Sequence, residues 1–202
     1  MQLFNENDEG AVEALRDILL KGGVAAVPTE TVYGLVCAWD NADARERIYS
    51  LKRRPHEKRL QMLAPDVASA VKAGLQPDDR LARIAARFWP GPLTVVAKAD
   101  GRGVNGDSIG LRIPDHPFIL KLLNALGTPL AATSANLAGC PPGLTAKEAV
   151  AGLDGTPDAL VDGGLVTETG GKASTVISLL GDTPAILREG PFPLQEILAA
   201  ME

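Results

Sequence analysis

Val24, Ala25, Ala26 and Val27 form an uninterrupted apolar run that Pro28 stops, and similar runs recur between stretches of helical period. That interleaving restricts the fold more than any other feature. A strand that is apolar on both faces needs cover on both, and helices between strands supply it. Further strands are expected at 60–63, 93–98, 109–113, 130–133, 175–179 and 185–188. Helices are expected at 7–21, 41–51, 66–73, 78–88, 117–126 and 146–152. In the first of these, Val12, Leu15, Ile18 and Leu19 share a stripe that ends at Gly22 and Gly23. The pattern predicts an α/β fold with helices on a mixed sheet. Without a repeat or linker, residues 1–202 read as a single domain.

Charge narrows the partners. The net charge is −5, so a broad basic surface for coating nucleic acid is not expected, although a local basic cluster can still hold a small anion. No apolar run approaches the roughly 18–20 residues of a membrane span. The N-terminus, MQLFNENDEG, is acidic and polar, unlike a targeting peptide, so no membrane association and a cytoplasmic location are expected. Cys37 and Cys140 lack CxxC spacing and a nearby histidine, so neither a disulfide framework nor a metal site is expected.

Two glycine motifs are near misses. Gly101 to Gly106 satisfies GxGxxG, but Asp107 and Ser108 lead into the strand-like IGLRIP rather than a helix, which makes it a loop between strands. Gly170-Gly171-Lys172 has Ala173 where a P-loop needs Ser or Thr. Any ATP is therefore bound without a Walker motif.

Four segments concentrate polar groups. PTETVYGL (28–35) follows a buried strand, where α/β proteins present ligand-binding groups; a capped loop with Tyr33 in the core is the alternative. In LKRRPHEKR (51–59), Lys52, Arg54, Lys58 and Arg59 are placed to converge on phosphates, or else form a solvated charge run. In ATSAN (132–136), Ser134 and Asn136 suit ribose or phosphate oxygens, or a helix cap. Ser174 opens one late strand and Arg188 closes another, so the pair flanks one cleft or lies separately on the surface. His116 is expected to cap or turn the chain before Pro117.

In this order, PTETVYGL, KRRPHEK, FWPGPLT, GLRIPDHP, PLAATSAN, ASTVISL and ILREG resemble the YrdC/TsaC family of threonylcarbamoyl-AMP synthases. The resemblance runs from about residue 22 to 190 and implies a YrdC-like twisted mixed sheet with a large concave cavity. It implies a nucleotidyltransferase that condenses L-threonine, bicarbonate and ATP to threonylcarbamoyl-AMP and pyrophosphate, with Mg²⁺ accompanying the ATP. It also implies a downstream tRNA threonylcarbamoyl transferase that takes the adenylate for t6A modification, direct tRNA or dsRNA contact being optional. Carried over by motif, Lys52, Arg54 and Lys58 are the catalytic phosphate-gripping cations. Ser134, Asn136, Ser174 and Arg188 complete the ATP/AMP site, and Thr29, Thr31 and Tyr33 lie along the threonine pocket. Three positions depart from the pattern: Arg59 replaces a frequent Pro or Gly, Leu63 replaces a histidine of some members, and Ala138 replaces a frequent serine. The alternative is an RNA-binding or ribosome-associated module of the same fold without synthase activity.

Overall fold

The computed structural model describes residues 1–103 and 106–201. Ten strands form one mixed sheet: β1 Gln2–Asn5, β2 Ala25–Val27, β3 Gly34–Ala38, β4 Gln61–Leu63, β5 Leu93–Gly103, β6 Gly106–Arg112, β7 Leu130–Ser134, β8 Ala159–Asp162, β9 Thr175–Ser178 and β10 Ala185–Arg188. Their spatial order is β1-β8-β2-β3-β7-β4-β6-β5-β9-β10. Among the described residues seven helices accompany them: α1 Ala11–Leu20, α2 Ala42–Lys52, α3 Val67–Lys72, α4 Asp79–Phe88, α5 Pro117–Leu126, α6 Ala146–Ala151 and α7 Leu194–Ala199. Among the described residues, no helix is long and apolar enough to cross a membrane.

Local chemistry sets the helix ends. The Asn41 and Asp78 side chains accept from the amides of Ala44 (2.9 Å) and Leu81 (3.0 Å), meeting donors that a helix start leaves unpaired. Thr145 and Glu148 form a reciprocal capping box on α6. Pro117 opens α5 after His116, as expected, and Gly127 closes it at φ 71°. The first helix starts later than its pattern suggests. The amide of Asn5 donates to Asp8 (2.7 Å) and Gly10 takes φ 80°, so residues 6–10 form a turn.

Alternation along the strands sends side chains into two separate cores. One holds Ala26, Leu35, Cys37, Met62, Val95, Ile109, Leu111, Ala131 and Ile177, covered by α2, α3, α4, α6 and α7. The other holds Ala25, Val27, Val36, Leu63, Leu130, Ala132 and Val161, packed under α1 and α5. The coverage of this second face is incomplete. Helices α1 and α5 pack on β8, β2, β3, β7 and β4, but among the described residues none of β6, β5 or β9 joins their core. The uncovered half of the face is where the site lies.

Candidate anion-binding cleft

Side chains on the uncovered face follow the strand period: Ser108, Gly110 and Arg112 on β6, Thr94 and Val96 on β5, Ser174 and Val176 at β9. They floor a cleft of about 350 Å³ that Thr31, Arg54, Glu57, Arg59, Gln61, Thr133, Ser134 and Arg188 also border.

A chain of hydrogen bonds runs across the floor. Gln61 Oε1 accepts from the Thr94 hydroxyl (3.0 Å), and Thr94 Oγ1 lies 2.8 Å from Ser174 Oγ. Ser174 Oγ in turn accepts from Arg188 Nη2 (2.9 Å). Since an amide oxygen only accepts, the Thr94 proton points to Gln61 and the Ser174 proton to Thr94. Strand β6 separates β4 from β5, and its Gly110 lets Gln61 and Thr94 meet. A Cβ there would already touch Thr94 Cγ2 at 3.6 Å and Gln61 Cβ at 4.0 Å.

The arginines are anchored unevenly. Arg188 also gives Nε and Nη2 to the Ser174 carbonyl (3.0 and 2.7 Å). Arg54 gives Nε to the Lys58 carbonyl (2.7 Å) and Nη2 to the Arg59 carbonyl (3.1 Å). Both are held by neutral oxygens, so geometry is fixed while charge stays uncompensated. Burial pulls both guanidinium groups below the usual arginine range, and the charges of Arg112 and Arg54 lower Arg188 further. Arg59 and Arg112 have partners. Arg59 Nη1 donates to Ser108 Oγ (2.8 Å) and pairs with Asp107 (3.2 Å). Arg112, only 3% exposed, pairs with the equally buried Glu30 (2.6 Å) and donates to Thr31 Oγ1 (3.0 Å). Glu30 Oε1 and Arg112 Nε have no hydrogen-bond partner, which makes this pair costly to break.

Of the residues read from the sequence, Arg54, Ser134, Ser174, Arg188 and Thr31 border the cleft. Thr29 stands behind Thr31: its hydroxyl donates to the Val32 carbonyl (2.7 Å) and accepts from the Thr31 amide (3.2 Å), closing the PTET turn. Lys52 is buried under the end of β7, where its ammonium donates to the carbonyls of Ser134 and Asn136, the latter at 2.5 Å. Burial, and then the charge of Arg54, bring Lys52 down to about 8. The Asn136 amide donates to the carbonyls of Leu137 and Cys140, both at 2.7 Å, and so shapes the loop that Lys52 supports. Lys58 is exposed and contributes its carbonyl to Arg54. Tyr33 is fully buried, its hydroxyl donating to Gly164 O (2.9 Å) and accepting from Gly163 N (3.0 Å); burial raises its pKa. Leu63 packs under α5 and borders a small recess beside Thr29, Thr31 and Arg112.

Sequence reasoning did not assign Arg112, Glu30, Gln61 or Thr94. The available signal was a charge at the end of the apolar strand IGLRIP, and a glutamate inside the turn after a buried strand. Gly170 and Gly171 lie in a turn at φ 62° and 75°, as the failed P-loop register requires. In the other glycine motif, β5 runs to Gly103 and β6 starts at Gly106, while Val104 and Asn105 lie outside the described residues.

Sheet and cleft together define a class: an α/β domain with a half-covered sheet face whose fixed, uncompensated arginines suit an anionic ligand. The particular family follows from comparison with known proteins. A family model for Sua5, YciO and YrdC proteins, described as "Telomere recombination", matches residues 17–190, and the chain belongs to that family. A curated relative from Bacillus subtilis (strain 168), a threonylcarbamoyl-AMP synthase, is 37% identical over 205 residues; the match covers 98% of this chain and 58% of the relative. The chain thus spans less than two thirds of that protein. A threonylcarbamoyl-AMP synthase from Vibrio parahaemolyticus serotype O3:K6 is 37% identical over 187 residues, covering 88% of this chain and 98% of the relative. The solved structure of P. abyssi Sua5 complexed with L-threonine superposes with a TM-score of 0.89 at 30% identity, over 98% of this chain and 60% of that one.

Proposed function

We propose that the chain is an L-threonylcarbamoyladenylate synthase that condenses L-threonine, bicarbonate and ATP into threonylcarbamoyl-AMP and pyrophosphate. The observation that carries this reading is the pairing of Arg54 and Arg188, both fixed by neutral acceptors, in a cleft lined with hydroxyls. Such cations are pre-organised for phosphate and need no rearrangement as charge shifts during reaction. The names of the two synthase relatives and the threonine-bound neighbour support the same choice.

In this mechanism the threonine amine first attacks CO₂, releasing a proton, or bicarbonate, releasing water, and becomes a carbamate. The carbamate oxygen attacks the α-phosphorus of ATP; a new P–O bond forms and the bond to the β-phosphate oxygen breaks, releasing pyrophosphate. Arg54 and Arg188 neutralise charge on the departing phosphates. Ser134 and Ser174 position the nucleotide, and Thr31 and Arg112 border the end assigned to threonine. Lys52 supports the Ser134–Asn136 loop from beneath, and Lys58 completes the Arg54 anchor through its backbone. Positioning of this kind supplies up to roughly 7–11 kcal/mol in well-oriented reactions.

Mg²⁺ is assigned to the ATP. Among the described residues, no three His, Cys, Asp or Glu side chains are grouped to hold a metal, and Glu57 is the only carboxylate bordering the cleft. The residues therefore do not form a resident metal site, and no step is assigned to the ion. The product is proposed to pass to a tRNA threonylcarbamoyl transferase. Incubation with ATP, Mg²⁺, threonine and ¹³C-bicarbonate, followed by mass spectrometry, tests the reading. Labelled threonylcarbamoyl-AMP that requires threonine is expected; intact ATP binding without that product would overturn the assignment.

A further inference from the structure

Beside the cleft lies a second pocket of about 340 Å³, bordered by Ala42, Arg45, Glu46, Tyr49, His56 and Arg59. It arises from the helical period. Positions 42, 45, 46 and 49 fall on one face of α2, and the 55–59 loop folds back over them. Two features mark it as more than a surface dent. Arg45 is half-buried, yet its Nε lies out of solvent with no hydrogen-bond partner. Arg47, two positions along the same helix, instead donates to both oxygens of Asp158 at 2.7 and 3.1 Å. Among the described residues no hydrogen bond ties Arg45 to a carboxylate, and its side chain borders the pocket.

The second feature is continuity with the cleft. Arg59 borders both spaces. Tyr49 stacks on His56 at 4.4 Å between ring centroids, and both border this pocket with Arg45. The two spaces therefore meet at Arg59, with Arg54 on the cleft side and Arg45 and Tyr49 on the other. The acidic groups around these cations are Glu46, which lies 3.4 Å from His56, Asp107 on Arg59, and Asp40, whose charge also acts on Arg45.

We propose that this pocket is an anion subsite for condensed phosphate, and that it receives the pyrophosphate displaced from the cleft. The role as a receiving site rests on the synthase reading; the binding of condensed phosphate does not. A guanidinium fork matches the oxygens of a diphosphate, and the phenol beside it offers a further donor. A leaving group drawn to Arg45 vacates Arg54 and is removed from the position where it could re-attack the adenylate.

The test is calorimetric titration of the intact protein with inorganic pyrophosphate and, separately, with α,β-methylene-ATP. Arg45→Gln is expected to weaken pyrophosphate binding about 10- to 100-fold, the scale of one lost charge-assisted contact, while the ATP analogue stays within twofold. Glu46→Gln removes a negative charge from the exposed rim and is expected to tighten pyrophosphate about two- to fivefold. Unchanged pyrophosphate affinity in Arg45→Gln would overturn the subsite. So would an equal loss for the ATP analogue, because Arg45 would then belong to the nucleotide's own site. Weaker or unchanged binding in Glu46→Gln would overturn it too, and that variant needs no buried group to repack. If no threonylcarbamoyl-AMP forms, yet pyrophosphate binding still depends on Arg45, the subsite stands and only its place in the reaction falls.

Discussion

Replacing Lys52 by Met separates two opposing effects in a way that pH can read. The ammonium is 1% exposed, and burial together with Arg54 moves its pKa from 10.5 to about 8. Keeping it charged below that pH costs about 3 kcal/mol, since each unit is worth about 1.4 kcal/mol. Against this stand its bonds to the carbonyls of Ser134 and Asn136, each worth roughly 1.5–3 kcal/mol from a charged donor. At pH 7 the terms nearly cancel, and the Met variant is expected within about 2 kcal/mol of the parent. Above pH 8 the balance changes. The folded chain gives up the proton near 8 while the unfolded chain holds it to about 10.5, so the parent gains stability as pH rises through that window. The variant lacks this gain and should fall about 3 kcal/mol further behind by pH 10.5. Denaturant unfolding of both proteins from pH 7 to 10.5 measures the difference, and groups common to both, such as Cys37, cancel. Parallel stability curves would refute the reasoning, because Lys52 would then titrate alike in the folded and unfolded chains.

Arg54→Ala should lower kcat/KM by roughly 10²–10³ in a product-formation assay, the scale of one lost charge-stabilising contact; near-normal turnover would remove Arg54 from the phosphate clamp. Arg112→Met should destabilise by about 3–5 kcal/mol in denaturant titration because Glu30 is left charged and buried, and Arg112→Met with Glu30→Leu should recover most of that loss. Gly110→Ala should keep activity, whereas Gly110→Val should part Gln61 from Thr94 and raise the KM for ATP; equal kinetics in the two variants would show that the chain of hydroxyls is dispensable. If the synthase reading holds, valine in place of threonine should give no detectable adenylate, since a site that bonds the hydroxyl rejects a substrate without it.

The alternation of buried strands and amphipathic helices was readable because both carry strong periods, and most elements lie where those periods place them. Three strands were not anticipated, each for its own reason. Residues 34–38 continue the PTETVYGL segment, whose polar start draws attention away from the buried Gly34–Ala38 run. Strand β1 is mostly exposed and carries only a weak period, and β8 is a four-residue ALVD run between turns. At the site, motif order brought Arg54, Ser134, Ser174 and Arg188 forward. It could not show that Lys52 faces the β7 loop, because one lysine reads the same whether it reaches a ligand or a carbonyl. Nor could spacing reveal the Arg112–Glu30 pair, whose members lie 82 residues apart, one at the end of β6 and the other in the turn between β2 and β3.

The sheet order also has a consequence for synthesis. Strand β8 lies between β1 and β2, pairing in parallel with β1 through residues 159–162 and with β2 through Ala159 and Leu160. On the ribosome, β2 emerges early and finds β3 on one side, while its other edge stays open until most of the chain has been made. An unpaired edge of that kind invites pairing with other chains, and pairing between distant segments is slow. The nascent protein is therefore expected to be most prone to aggregation before residue 162 leaves the exit tunnel, and chaperone dependence should concentrate on that interval of translation.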